Sequence, residues 1–287
     1  MSLDAADFER HRIERTTWGY DMATAPQHQR TPEAEIGRIW SRAFDAIGRR
    51  PGEILVVALL FGGIPLALLR VLSAHITAGF ANSPWMSLAA TLIMSTVTSV
   101  LGVTLAYALI SRIVVATLDG SDQPIAQDVD TVIRRFIILV TMAFLSNCGI
   151  GFATLLLIVP GLMLMTAWAM ALPAVSVEPL GPIEALRRSE ALTRGARWPV
   201  FGVILVLILF GGGGTYLLSR ATYAFYGGES AFEAVLNNGW PLWHIFASAF
   251  FQTFVIAMSA AVHATLYVQL RDQKDGPRTD TLAEVFA

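Results

Sequence analysis

Residues 136–177 carry no charge at all, and no other feature limits the fold as sharply. The run is 42 residues long, roughly 63 Å as helix at 1.5 Å per residue. A hydrocarbon core of about 30 Å is crossed by about 20 apolar residues, so the run is long enough for two crossings. A turn must therefore lie inside it, at 146–151 or at Val159-Pro160-Gly161. The first choice leaves about ten apolar residues before the turn, too few to span. The second is preferred. It gives span 3 at 136–158 and span 4 at 162–177, with Pro160 near the first turn of span 4 and Asn147 inside span 3.

Four more apolar runs read as spans: 54–73, 88–110, 200–219 and 242–267. The chain is 54% hydrophobic and only 15% charged. Six spans absorb well over half of 287 residues, which leaves no room for a sizeable soluble domain. The expected fold class is an all-α integral membrane protein. Gly62, Gly63 and Pro65 fall near the middle of span 1 and should kink it. Gly211, Gly212, Gly213 and Gly214 lie in the outer half of span 5, and Pro173 marks the exit of span 4.

The segments before spans 1, 3 and 5 share a pattern. Residues 31–50, 119–135 and 181–194 each have a proline near the start (Pro32, Pro124, Pro182), an apolar residue soon after, then a double arginine and a span. The arginine pairs are Arg49 and Arg50, Arg134 and Arg135, and Arg187 and Arg188. In residues 31–50, Ile36, Ile39, Trp40, Ala43, Phe44 and Ile47 recur at helical spacing while Arg38, Arg42 and Asp45 face elsewhere. Such helices suit the membrane interface. The pattern implies three parallel repeats of interfacial elbow plus two-helix hairpin. Eighteen of the 20 Lys and Arg fall on the elbow side, leaving Arg70 and Arg220 on the other. The positive-inside rule then puts both termini in the cytosol. Residues 1–30 read as a flexible cytosolic tail with Phe8, Trp18 and Tyr20 as docking points, and 271–287 as a second tail. The first 50 residues hold eight arginines and no apolar stretch of signal-peptide type, so span 1 is expected to serve as an uncleaved anchor.

Chemistry-bearing motifs are missing. There is no HExxH, no Walker loop and no GxSxG, and the five histidines do not share a helix face at ligand spacing. The one cysteine, Cys148, excludes an intrachain disulfide and a cysteine-rich metal site. No cofactor, metal or nucleic-acid partner is expected, and the chain reads as a non-enzyme. No charge lies deep in a span, which argues against a pump with a central carboxylate. Asn147, Gln252 and His263 are the candidate intramembrane polar residues. An interhelical hydrogen bond is the plainer role for each.

The third elbow and its flanks carry a more specific pattern. Pro160-Gly161, Ala171-Leu172-Pro173-Ala174-Val175, Glu178, Gly181-Pro182-Ile183-Glu184-Ala185-Leu186-Arg187-Arg188-Ser189 and Leu192-Thr193-Arg194-Gly195 resemble a bacterial family of about six spans. That family includes the YciC-like proteins and the membrane domain fused to some glycerophosphodiester phosphodiesterases. The resemblance implies an inner-membrane helical protein and no catalytic residue, since the fused members' chemistry sits in a separate soluble domain. From the three basic, amphipathic elbows and the absence of catalytic constellations, the elbows are expected to bind anionic lipid or a protein subunit of a membrane complex. Arg49, Arg50, Arg134, Arg135, Arg187, Arg188, Arg194, Arg197 and Trp198 are the candidate contacts, with Pro160, Gly161 and Pro173 shaping the third unit. The alternative is a transporter or channel for a small or amphiphilic solute, with a cavity near Pro65, Asn147, Gly211 and Gln252.

Overall fold

Six helices among the described residues are long and apolar enough to cross a membrane. They are seen in a computed structural model that describes residues 32–79, 83–121, 123–225 and 241–276. The chain divides into two units, Met1–Gly37 and Arg38–Ala287, and all six of these helices belong to the second. The expected tail 1–30, the outer-loop helix at 230–236 and the last residues from 277 lie outside the described residues, as do the side chains of Arg70 and His75.

Helix α1 (Pro32–Arg49) is the first elbow. Its Ile39, Ala43 and Ala46 are buried while Arg38 and Arg42 are exposed, as the sequence spacing implies, but Phe44, expected on the apolar face, is exposed as well. Span 1 follows as α2 (Pro51–Ala58), a π-helical turn (Leu59–Gly63) and α3 (Ile64–Gly79). Pro65 explains the turn. It has no N–H to give Phe61, four residues earlier, so the regular ladder fails there. Gly62 and Gly63 face α12 at this point; a Cβ on Gly63 would stand 2.1 Å from Thr253 Oγ1, and one on Gly62 2.6 Å from Ile256 Cδ1.

Span 2 is α4 (Pro84–Thr98), a second π-helical turn (Ser99–Val103) and α5 (Thr104–Leu118). The two π turns touch: a Cβ on Gly102 would lie 2.7 Å from Phe61 O, the carbonyl that Pro65 cannot serve. The helix does not stop near residue 110 as its hydropathy suggests. It runs through Arg112 to Leu118 because Arg112 finds partners inside the protein. The second elbow is α6 (Ile125–Arg134), followed after Arg135 by span 3, α7 (Phe136–Leu156).

The expected hairpin is present, with its turn at Leu157, just ahead of Val159-Pro160-Gly161. Leu157 is extended, at φ −157° and ψ 137°, and α8 (Ile158–Trp168) begins straight after it. Pro160 sits in the first turn of α8, where a missing N–H costs no helical bond. Gly161 lets the two arms meet, since a Cβ there would stand 2.1 Å from Thr154 Oγ1. Span 4 then breaks at Ala169–Met170 and resumes as α9 (Ala171–Val177). The break lies four residues before Pro173, at the carbonyl whose donor the proline lacks.

The third elbow, α10 (Pro182–Thr193), starts with Gly181 N–H donating to Glu184 Oε2 at 2.9 Å and ends before Gly195 at φ +91°. It plugs the break in span 4. Buried Ser189 donates to Ala167 O at 2.7 Å and accepts from Met170 N–H at 3.0 Å. Two main-chain groups freed by the break are satisfied by one hydroxyl from another helix.

Span 5 is α11 (Arg197–Phe225) and span 6 is α12 (Leu242–Asp275). Both run beyond their apolar cores of 200–219 and 242–267. In particular, residues 271–275 are helix rather than tail, held by contacts of Arg271, Lys274 and Asp275. The four glycines of α11 are not equivalent. A Cβ on Gly214 would lie 2.1 Å from the Phe251 ring and one on Gly211 3.1 Å from Val255, whereas Gly212 and Gly213 meet nothing within 4 Å. Spans 2 and 6 form the centre: 61% and 56% of their apolar segments are buried, against 17% for span 3. Span 3 presents Phe144, Phe152, Leu155 and Leu156 outward, as a face against hydrocarbon would.

Gly214→Ala is expected to lower the thermal midpoint of the detergent-solubilised protein, at an overpacking cost of about 1–3 kcal/mol. Gly212→Ala should leave the midpoint unchanged or raise it, with a helix-propensity gain of up to about 1 kcal/mol. Equal shifts for the two would show that contact with Phe251 does not distinguish them.

Candidate functional site

The elbow end of the bundle is where the charged side chains collect. A guanidinium already held by the protein is less available to a ligand, so the partners of each decide its role. Arg112, midway along α5, donates through Nε to Asp128 Oδ1 at 2.8 Å and through Nη1 to Ser176 O at 2.8 Å. The Asp128 side chain is 2% exposed and that of Arg112 16%. This pair ties the second elbow to span 2 and to the end of span 4.

A second cluster is built on Glu178, one residue past the uncharged run. Its carboxylate accepts from Arg188 Nε and Nη2 at 3.1–3.2 Å and from the Tyr267 hydroxyl. Its main-chain carbonyl accepts from Arg135 Nη1 at 2.6 Å. Arg188 also pairs with Asp275, which holds the guanidinium above its ordinary pKa by hydrogen bonding, against the opposing effect of burial. Nearby, Arg271 forms a two-pronged bond to Asp119 at 2.8 and 3.2 Å and lies over the Tyr267 ring. Lys274 reaches the carbonyls of Ala191 and Arg194 at the C-terminal end of α10, where a cation suits the helix dipole.

The sequence-nominated arginines therefore fall into two groups. Arg50 donates to Gln123 O at 3.0 Å, Arg135 to Glu178 O, and Arg188 to two carboxylates. These three join one element to another. Arg49, Arg134, Arg187 and Arg194 are exposed. Arg134 and Arg194 make only exposed pairs four residues back along their own helices, with Asp130 and Glu190. Arg197 reaches Glu190 at 3.9 Å, and Trp198 is 83% exposed with its ring edge against Phe201. Exposed apolar residues accompany the exposed arginines: Phe44 on α1, Ile133 on α6 and Ile183 on α10.

The three intramembrane polar residues are not brought together. Gln252 donates to Thr215 Oγ1 at 3.1 Å across the α11–α12 contact. His263 bonds Ser259 O through Nδ1 at 2.7 Å and lies 6.1 Å from the Tyr107 ring. Asn147 alone lines a cleft, of about 190 Å³, together with Thr104, Tyr107, Ser146 and Trp168. Pro65, Gly211 and Gln252 do not line it. They sit in close helix contacts, the plainer of the two roles open to them.

Residues 136–270 match the family described as Domain of unknown function (DUF7847). The matched segment starts at α7 and ends inside α12, so it takes in Glu178, Arg188, Ser189, Asn147 and Tyr267 but not the first elbow. No curated protein and no solved structure matches the chain.

Sequence reasoning passed over Arg112, Asp128, Asp119, Arg271, Tyr267 and Ser189 as functional or organising residues. For Arg112 a local signal exists: apolar residues dominate the six positions after it, so the helix had no reason to end there. For Asp119 and Arg271, which lie 152 positions apart, none exists.

Arg112→Met should destabilise the protein by about 3–5 kcal/mol, because Asp128 is left as an unpaired buried charge. The double variant Arg112→Met with Asp128→Leu should recover much of that loss, as read in a double-mutant cycle of thermal or denaturant unfolding. Arg134→Gln, made in parallel, should leave the midpoint where it is. Additive losses in the cycle would mean that the two residues are not coupled.

Proposed function

We propose that this is a non-enzymatic, multi-pass protein of a bacterial inner membrane, with both termini cytosolic, whose three elbow helices bind anionic lipid headgroups. One observation carries the reading. Each elbow or its exit carries exposed arginine and exposed large apolar side chains: Arg49 and Phe44, Arg134 and Ile133, Arg187 and Arg194 with Ile183 and, at the start of α11, Trp198. Apolar groups that enter the acyl boundary and guanidinium groups that stay at headgroup level are what a helix lying in the interface requires. Each basic residue near an anionic surface adds roughly 1 kcal/mol of attraction, so four such residues add up to a marked preference for anionic lipid.

The elbow arrangement further supports a threefold repeat of elbow plus hairpin, of the kind implied by the likeness to the YciC-like proteins. Each of α1, α6 and α10 carries arginine and leads into a span, with Arg49 and Arg134 in the last turns of α1 and α6 and Arg187 and Arg188 within α10. The inner-face orientation rests on the same charges. Not every elbow arginine takes part. Arg50, Arg135 and Arg188 hold the protein together, and the lipid contacts belong to Arg49, Arg134, Arg187, Arg194, Arg197 and Trp198. A protein subunit docked on the same face is the competing partner, and the transporter reading has lost most of its expected lining residues to helix packing.

The test is lipid retention. The full chain is purified from membranes, and phosphatidylglycerol and cardiolipin are counted per protein by mass spectrometry. A variant with Arg49, Arg134, Arg187 and Arg194 all changed to Gln should retain anionic lipid about tenfold less well. Phosphatidylethanolamine should be unchanged, and so should the unfolding midpoint. An unaltered ratio of anionic to zwitterionic lipid would reject the proposal, and loss of a co-purifying protein at an unaltered ratio would point to the subunit instead.

A further inference from the structure

The cleft around Asn147 lies far from the elbow face and is not explained by it. Asn147 is eleven residues into α7, roughly 16 Å from that helix's elbow end. Thr104 is fourteen residues from the elbow end of α5, roughly 21 Å, and Trp168 nine residues from the end of α9, roughly 14 Å. The ends of α7 and α9 lie at one level, since Arg135 bonds Glu178 O. In a hydrocarbon layer about 30 Å thick, these positions fall near the middle.

Polar groups at that depth need partners. Asn147 gives one amide hydrogen to Ala143 O at 2.8 Å. Among the described residues its carbonyl oxygen and second amide hydrogen have no protein partner, and neither do the hydroxyls of Thr104 and Ser146. Asn147 is nonetheless exposed, and at mid-depth what surrounds the bundle is the acyl layer, so a lateral opening follows from the depth of the cleft. Tyr107 and Trp168 supply aromatic lining. Trp168 is seated by Gly149: a Cβ there would stand 2.5 Å from its ring. No lining residue is charged. A ligand with a net charge would have no counter-charge in the cleft and would lose its hydration on entry.

We infer that this lateral cleft between spans 2, 3 and 4 binds an uncharged amphiphile whose small head carries hydroxyl or carbonyl oxygens. Asn147, Ser146 and Thr104 hydrogen-bond the head, Tyr107 and Trp168 flank it, and the tail stays in the bilayer. A cleft of about 190 Å³ has room for a small head of that kind, and its uncharged lining disfavours a phosphate-linked one. Diacylglycerols and alkyl quinones both have this chemistry.

The full chain in phosphatidylcholine nanodiscs would be exposed to three diazirine-tagged probes: a diacylglycerol, an alkyl benzoquinone and a phosphatidylglycerol. Peptide mapping after photolysis should place label on the segments holding Ser146-Asn147 and Trp168 for one or both neutral probes, and the matching untagged lipid should compete. Which neutral probe labels decides the source. Asn147→Leu should cut that labelling about tenfold. Ser146→Ala, too small a change to disturb the fold, should cut it severalfold with an unmoved unfolding midpoint. Equal labelling of the lipid-facing stretch 205–210 would overturn the inference. So would labelling by phosphatidylglycerol as strong as by the neutral probes, or no labelling of the cleft, which is the result expected if water alone occupies it.

Discussion

Glu178 receives three helices at once. Arg135 from the second elbow bonds its carbonyl, while Arg188 from the third elbow and Tyr267 from span 6 bond its carboxylate. Arg188 continues to Asp275 at the end of span 6. Without its carboxylate, one guanidinium group and a phenol would each lose a partner at the boundary between apolar and polar surroundings. Such losses cost free energy in proportion to how far water is excluded. Arg112 with Asp128 and Arg271 with Asp119 repeat the device at neighbouring points, so the connections at the second and third elbows are fastened by charge pairs. The elbows are positioned by these contacts, and only the side chains left over face outward.

The same economy governs the main chain. Span 4 is broken because Pro173 cannot donate, and in hydrocarbon an unpaired carbonyl is costly. Ser189 meets the break from the third elbow, which fixes how deeply that elbow sits. In span 1, Pro65 has a similar effect, and the π turn with Gly102 of span 2 brought close accommodates it. Prolines that look like simple kinks in the sequence thus become docking points for a neighbouring element. Asn147 departs from this pattern. Its amide is only partly satisfied within the protein at a depth where the other breaks are closed, and that contrast singles out the cleft.

Much of the fold could be read without coordinates. The turn near 157, the elbow helices, the first-turn position of Pro160 and the break upstream of Pro173 follow from local chemistry: run length, proline without its donor, glycine where a Cβ would clash. Span ends were less legible. Hydropathy closes span 2 at Arg112 and span 6 near Tyr267, but both helices continue because Asp128 pairs with Arg112, Asp119 with Arg271 and Arg188 with Asp275. The candidate site was legible in outline only. The nine nominated residues do lie at the elbow end, yet three of them prove to be internal fasteners and the glycine run of α11 proves to be two contacts and two bystanders.

What the sequence by itself determined is the one-dimensional part: six spans, three amphipathic elbows, and the points where regular helix must fail. Those features depend on residues within a few turns of one another, where hydropathy and backbone chemistry act alone. What only the tertiary structure decided is which charges are available and which polar side chains share a space. Arg188 and Asp275 are 87 positions apart, and Tyr267 and Glu178 are 89 apart. Pairing at such separations is set by how helices pack, and no local pattern encodes it. The division of the elbow arginines into fasteners and outward-facing cations, and the meeting of Asn147 with Tyr107 and Trp168, belong to that second kind.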